Sequence, residues 1–142
     1  MAKYLSNVLS DTYLLMIKTH GYHWNVSGPL FHQLHLMFEG QYNELFSAAD
    51  DIAERIRALD FPALGGPDAF KQHTAIKEAA NQPPSAPAMI KDLLKSHEQT
   101  RERAEEARAF ANEIADVATE DMLNGRLRAH DKTIWMLREQ VA

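Results

Sequence analysis

Residues 20–60 read HGYHWNVSGPLFHQLHLMFEGQYNELFSAADDIAERIRALD, and the way this stretch is wound decides the fold. From Pro29 to Leu59 only Gly40 interrupts a run of helix-compatible residues, so the stretch predicts one long helix. Ser27-Gly28 supply a turn before it, and Pro29 suits the first helical position, where a missing N–H costs nothing. At about 100° per residue, with His35 as zero, His35, Glu39, Asp50 and Glu54 fall at roughly 0°, 40°, 60° and 100°. Leu34, Met37, Phe38, Leu45, Ile52, Ile56 and Leu59 fall between about 200° and 300°, the stripe that needs burial. The histidine and the carboxylates therefore face away from the core of their own subunit, toward water or another chain.

His35 with Glu39 and Asp50 with Glu54 lie roughly 22 Å apart along the helix axis, too far to share an ion within one chain. Two copies packed antiparallel about a two-fold axis near Glu44 and Leu45 bring His35 and Glu39 of one against Asp50 and Glu54 of the other, giving two equivalent sites per dimer. Phe46 at about 20° and Leu36 at about 100° add apolar groups to the outward face, for which a solvated face has little use. The plain alternative is an acidic, solvated face, ordinary in a chain with 20 Asp and Glu. Mixed nitrogen and oxygen donors suit ferrous iron and tolerate zinc, manganese or cobalt.

His23-Trp24-Asn25-Val26-Ser27-Gly28, followed by Leu34-His35 and Glu39, resembles the first signature of the Dps family of mini-ferritins. Asp50-Asp51-Ile52-Ala53-Glu54-Arg55, with Leu59-Asp60 and Pro62-Ala63 beyond, resembles the second. The resemblance implies a ferroxidase centre across a dimer interface, with His23, His35 and Glu39 from one subunit and Asp50 and Glu54 from its neighbour. Glu39 stands where many members carry Asp, which keeps the charge and lengthens the arm. The family further implies oxidation of Fe(II), preferably by hydrogen peroxide, and storage of Fe(III) oxyhydroxide inside a hollow dodecamer of two-fold dimers, with protection against oxidative stress.

With 142 residues, 45% of them hydrophobic, residues 1–142 are expected to form one domain. A net charge of -5 argues against general affinity for nucleic acid or anionic membranes. Without cysteine there is no disulfide, thiolate chemistry or iron–sulfur cluster. Met1-Ala2-Lys3-Tyr4 does not start a leader, and no apolar run reaches membrane length, so a cytoplasmic protein is expected.

A first helix is predicted from Ala2 to Asn25, with Leu5, Val8, Leu9, Tyr13, Met16 and Ile17 toward the core. His20 reads as a partly buried packing residue. Trp24 reads either as packing or, close to an iron site, as an electron donor that quenches a radical. Between loops at residues 61–67 and 81–84, Asp68 to Ala80 can hold a short helix capped by Asp68, and His73 is expected to be exposed and without a role. A third long helix begins near Ser85-Ala86-Pro87 along the seam Ile90, Leu93, His97, Thr100, Ala104, Ala107, Ala111 and Ile114, with a solvated face from Glu98 to Arg108. A fourth starts near a Thr119 cap and follows Leu123, Leu127, His130, Ile134, Leu137 and Val141. His97 and His130 read as satisfied core histidines, and Trp135 as an intersubunit or partly exposed contact.

The predicted fold is all-α: a ferritin-like four-helix bundle with one long crossover that carries a short helix. No Glu is followed three residues later by His, which disfavours a di-iron centre inside one bundle and leaves the site between subunits. Asp116, Glu120 and Asp121 read either as helix capping or, by similarity to the family, as the lining of three-fold pores for ferrous iron. One rival is a nucleoid-associated, DNA-protecting protein, disfavoured because no Lys- and Arg-rich tail flanks the helices. A metal-free helical assembly protein is the other.

Overall fold

The computed structural model describes all residues, 1–142, and contains five helices and no strand. They are α1 (Ala2–Asn25), α2 (Phe31–Ala58), α3 (Pro67–His73), α4 (Ala86–Glu113) and α5 (Val117–Gln140). This is the ferritin-like four-helix bundle, with the short helix in the crossover.

Side-chain pairings give the register. Tyr4 stacks on Phe110, Asp11 meets Arg103, and Tyr22 reaches Asp92, so α1 runs antiparallel to α4. Gln33 meets Gln140, Glu44 meets Arg126 and Arg55 meets Thr119, so α2 runs antiparallel to α5. His97 with His130 and Arg108 with Glu120 make α4 and α5 antiparallel as well. It follows that α2 and α4 are parallel, and residues 59–85 must return along about 42 Å of a 28-residue helix. That need is why the crossover is long.

The apolar stripe of α2 is buried as its spacing requires: Leu34, Phe38, Leu45, Ile52 and Ile56 are fully inaccessible. Ala104, Ala107 and Ala111 are buried on α4, small enough to let its neighbours approach closely. The crossover is pinned by polar and aromatic contacts. Phe70 of α3 is buried and stacks on Tyr13 at 4.8 Å. The fully buried Asp11 carboxylate accepts from the Thr74 hydroxyl and the Ala75 N–H, each at 2.7 Å, with the Arg103 guanidinium at 3.5 Å. Burial pushes the Asp11 carboxyl above its usual range, and these donors pull the other way.

Several element ends differ from the sequence reading. α2 starts at Phe31, with Pro29 left in the turn, because Gly28 at φ 107° redirects the chain first. α3 stops at His73 instead of Ala80 and is entered from Gly66, so Asp68 lies inside the first turn and caps nothing. Thr119 is not the cap of α5: Asp116 is, accepting from the Thr119 N–H at 3.1 Å, while Thr119 itself is buried. Ile17 and Ile114, placed on seams by spacing, are about half exposed, at 51% and 49%. His73 is partly buried, with Nδ1 against the Ala69 carbonyl and its own carbonyl accepting from Arg103. The face from Glu98 to Arg108 is accordingly only partly solvated. Trp135 is 57% exposed, in keeping with its place off the seam.

α2 and α4 also end without glycine. Asp60 (φ 68°) and Ala115 (φ 58°) take the left-handed conformation that lets Phe61 and Asp116 bond back to the Ile56 and Ala111 carbonyls.

Candidate metal centre

Where α1 ends and α2 begins, two imidazoles are locked together. His23 lies on the last turn of α1 and His35 on the second turn of α2, facing each other across the Gly28 turn. His23 Nδ1 bonds to the His35 carbonyl at 2.7 Å, and His35 Nδ1 bonds to the His23 carbonyl at 2.8 Å. A carbonyl only accepts, so each Nδ1 carries the proton and each Nε2 keeps a free lone pair. The rings stack at 3.7 Å with planes 16° apart. His23 is 7% exposed and His35 is partly buried. Holding the second nitrogen of an imidazole on a carbonyl is the arrangement that orients histidine toward a metal.

Glu39 follows one turn after His35 and is exposed. Asp50 and Glu54 are also exposed, farther along the same helix. Within one chain no three His, Asp or Glu side chains come together as a metal-holding group. The chain thus brings His23 and His35 together, places Glu39 on the adjacent turn, and leaves Asp50 and Glu54 apart from them. Phe46, Leu36 and Trp24, at 60%, 50% and 64% exposure, put apolar surface around these groups.

Trp24 lies against His20, their ring centres 4.1 Å apart and their planes tilted by 42°, and its ring pairs with neither His23 nor His35. Tyr42 was not singled out from the sequence. Its ring lies 4.2 Å from His20 and stands edge-on to His23 at 5.2 Å. The signal was present, since Tyr42 follows His35 by seven residues and shares its helix face.

A second polar group lies inside the bundle. His97 Nδ1 and His130 Nδ1 are 2.9 Å apart, and Arg126 reaches both His130 Nε2, at 3.4 Å, and Glu44. Arg126 only donates, so His130 accepts at Nε2 and donates from Nδ1 to His97. Both ring nitrogens of His130 have partners, whereas the buried His97 Nε2 has none, so the expectation of satisfied core histidines holds for His130 and only in part for His97. Burial, then the Arg126 charge, brings His97 down to about 3. Burial, then His97, Arg126 and Arg101, holds His130 well below the usual histidine range.

At the α4–α5 junction, Asp116 binds the Arg55 guanidinium at 3.0 Å besides capping α5. Burial would raise its carboxyl, but hydrogen bonds from Thr119 and Arg55 outweigh that and hold it below the usual range. Glu120 accepts from Arg108 at 3.1 Å and from Asn112 at 3.2 Å, while Asp121 is exposed. Two of the three acidic groups read as pore lining thus have structural partners.

The ferritin-like domain family matches residues 2–142. An uncharacterized low temperature-induced protein of Nostoc sp. is 39% identical over 135 residues, covering 94% of this chain and 75% of that protein. A DNA protection during starvation protein of Brevibacillus brevis is 32% identical, covering 96% of this chain and 91% of that protein. The Vibrio cholerae Dps structure, described as a member of a broad superfamily of ferritin-like diiron-carboxylate proteins, superposes with a TM-score of 0.95 at 26% identity, covering 99% of this chain and 88% of that one. The chain belongs to the Dps family of ferritin-like proteins. At the level of that family it is an iron-storage mini-ferritin. No helix is long and apolar enough to cross a membrane.

Proposed function

We propose that this chain oxidises ferrous iron, preferably with hydrogen peroxide, at centres shared between two subunits, and stores the ferric product as an oxyhydroxide inside a dodecameric shell. The observation that carries the reading is the reciprocal pairing of His23 and His35, which leaves an Nε2 lone pair free on each of two stacked rings. His23, His35 and Glu39 are assigned to one side of the centre, and Asp50 and Glu54 of the partner subunit to the other. No group of three His, Asp or Glu closes on a common point within one chain, which supports assigning the remaining donors to a partner subunit.

Neutral imidazoles bind the incoming ferrous ions, and the carboxylates add negative charge that favours the ferric state. The stacking bears on how many ions are held. An ion sits in the plane of its imidazole about 2.1 Å from nitrogen, and two rings whose centres are 3.7 Å apart and whose planes are only 16° from parallel offer no common point within that reach. Each ring therefore takes its own ion. Two ferrous ions supply the two electrons that, with two protons, reduce one peroxide to two waters. Zinc or another divalent ion is expected to compete for the same donors. The acidic groups Asp116, Glu120 and Asp121 are offered as an iron entry route at the α4–α5 junction, with Asp121 the one whose carboxylate has no structural partner.

Replacing His35 and Glu39 together with alanine is expected to leave the assembly folded and to abolish fast iron oxidation. Stopped-flow absorbance after mixing with ferrous salt and peroxide reads this directly. An unchanged rate overturns the assignment.

A further inference from the structure

The outward arc of α2 carries two large apolar side chains, Phe46 at 60% exposure and Leu36 at 50%. Beside that arc, the groove between α1 and α2 holds two hollows. One, of about 330 Å³, is lined by Met16 and His20 of α1 and by Tyr42, Asn43 and Phe46 of α2. The other, of about 240 Å³, includes Leu9 of α1, Ala49, Asp50 and Ala53 of α2, and Phe70 of α3. The Phe46 ring borders both hollows and fills neither.

The two-fold register of the shared centre relates these features to one another. An antiparallel pairing that sets His35 opposite Glu54 and Glu39 opposite Asp50 also sets Phe46 opposite Asn43 and Leu36 opposite Ala53. All four of the latter fall within about 100° on the helix wheel, so they share the outward face. Asn43 lines the first hollow and Ala53 the second. Each protruding side chain thus meets an opening in the same patch on a second copy, which is the self-complementarity that an isologous contact demands. Charge agrees with this. A patch laid on its own copy brings like charges together, and from Gly40 to Ala49 the one charged residue is Glu44, whose carboxylate is held by Arg126.

We propose that this face is a reciprocal lock between two copies of the chain: the Phe46 ring of each subunit enters the hollow beside Asn43 of the partner subunit, and its Leu36 enters the hollow beside Ala53 of the partner subunit. The inference rests on the antiparallel pairing assigned to the shared centre and adds what holds that pairing in register. It also ties assembly to the candidate donors. His20 and Tyr42, 4.2 Å apart, wall the first hollow, and Tyr42 stands edge-on to His23 at 5.2 Å. Asp50 is part of the second. Filling both hollows removes water beside Tyr42 and Asp50, so the surroundings of the centre become dry only when two subunits meet.

Two variants test the lock. Phe46→Ala removes the ring and leaves the hollow open, whereas Asn43→Trp plugs the hollow and leaves the ring. Both positions are exposed on the single chain, so both variants should fold. Circular dichroism checks this, with Phe46→Ser or Asn43→Phe standing in for a variant that does not. Native mass spectrometry across a dilution series reads the association. Each variant alone is expected to dissociate at a concentration about a hundredfold or more above that of the native protein, because the symmetry removes two contacts at once. Co-expressed with distinguishable tags, the two are expected to pair with each other in preference to themselves, since the ring of the plugged chain enters the open hollow and the plug meets a shortened side chain. Native-like association of Phe46→Ala, or random pairing in the mixture, overturns the lock and leaves the shared centre standing. A native protein that stays monomeric throughout overturns the pairing, and the shared centre with it.

Discussion

Acid should weaken this bundle from within, through His97 and His130. Unfolded histidine titrates near 6.5, whereas folded His97 is held near 3. Below pH 6.5 the unfolded chain takes up a proton that the folded chain refuses, so the stability from this group is present above 6.5 and is lost as the pH falls from there toward 3. Between pH 8 and pH 5 the loss from His97 alone comes to about 2 kcal/mol per chain. His130 is depressed in the same direction and adds to it. With about 2.1 cal/mol/K of unfolding entropy per residue, 2 kcal/mol corresponds to about 7 °C in the midpoint of a chain this size. The perturbation is His97→Leu with His130→Leu. It removes both hydrogen-bond partners together and fills the space with apolar groups, while Arg126 keeps Glu44. Thermal unfolding of native and variant assemblies is followed by circular dichroism at pH 8 and pH 5. The drop in midpoint between the two pH values should be smaller in the variant by about 7 °C or more. An equal drop in both proteins refutes the claim that these buried imidazoles stay neutral.

Asp11→Ala strips the acceptor from Thr74, Ala75 and Arg103 at once and should cost about 3 kcal/mol, read as a lower denaturant midpoint with early proteolysis in residues 59–85. Ala115→Gly relieves a non-glycine residue at φ 58° and should stabilise by about 1 kcal/mol in the same assay; a loss of stability refutes the strain. Phe46→Glu places a charge on the 60%-exposed ring position next to the proposed two-fold axis. It should reduce the native mass and abolish Co(II) binding together, and loss of one without the other separates assembly from ligation.

Much of the bundle was legible because periodicity is a local property. Leu34, Phe38, Leu45, Ile52 and Ile56 recur at helical spacing, and all five are buried. The missing Glu-x-x-His pattern and the outward arc of His35, Glu39, Asp50 and Glu54 likewise followed from positions along one helix. Helix ends were less legible. Asp60 and Ala115 stop α2 and α4 in a conformation that glycine usually marks, and Asp116 displaces Thr119 as a cap because Arg55, 61 residues away in sequence, holds it there. Tyr42 went unremarked because its importance comes from His20 and His23 on another helix.

Composition and spacing alone were enough for the helices and their buried stripes, and the resemblance of two short motifs, at residues 23–39 and 50–63, supplied the family and the residues worth watching; each of these depends on neighbours a few positions apart. Folding decided the rest. The mutual lock of His23 and His35 needs two backbones to meet across a turn, and the edge-on placement of Tyr42 against His23 depends on how α1 is rotated against α2. The depressed His97–His130 pair exists only because α4 and α5 exclude water between them. Protonation state and ring orientation are set by what surrounds a side chain in three dimensions, and no one-dimensional period encodes that.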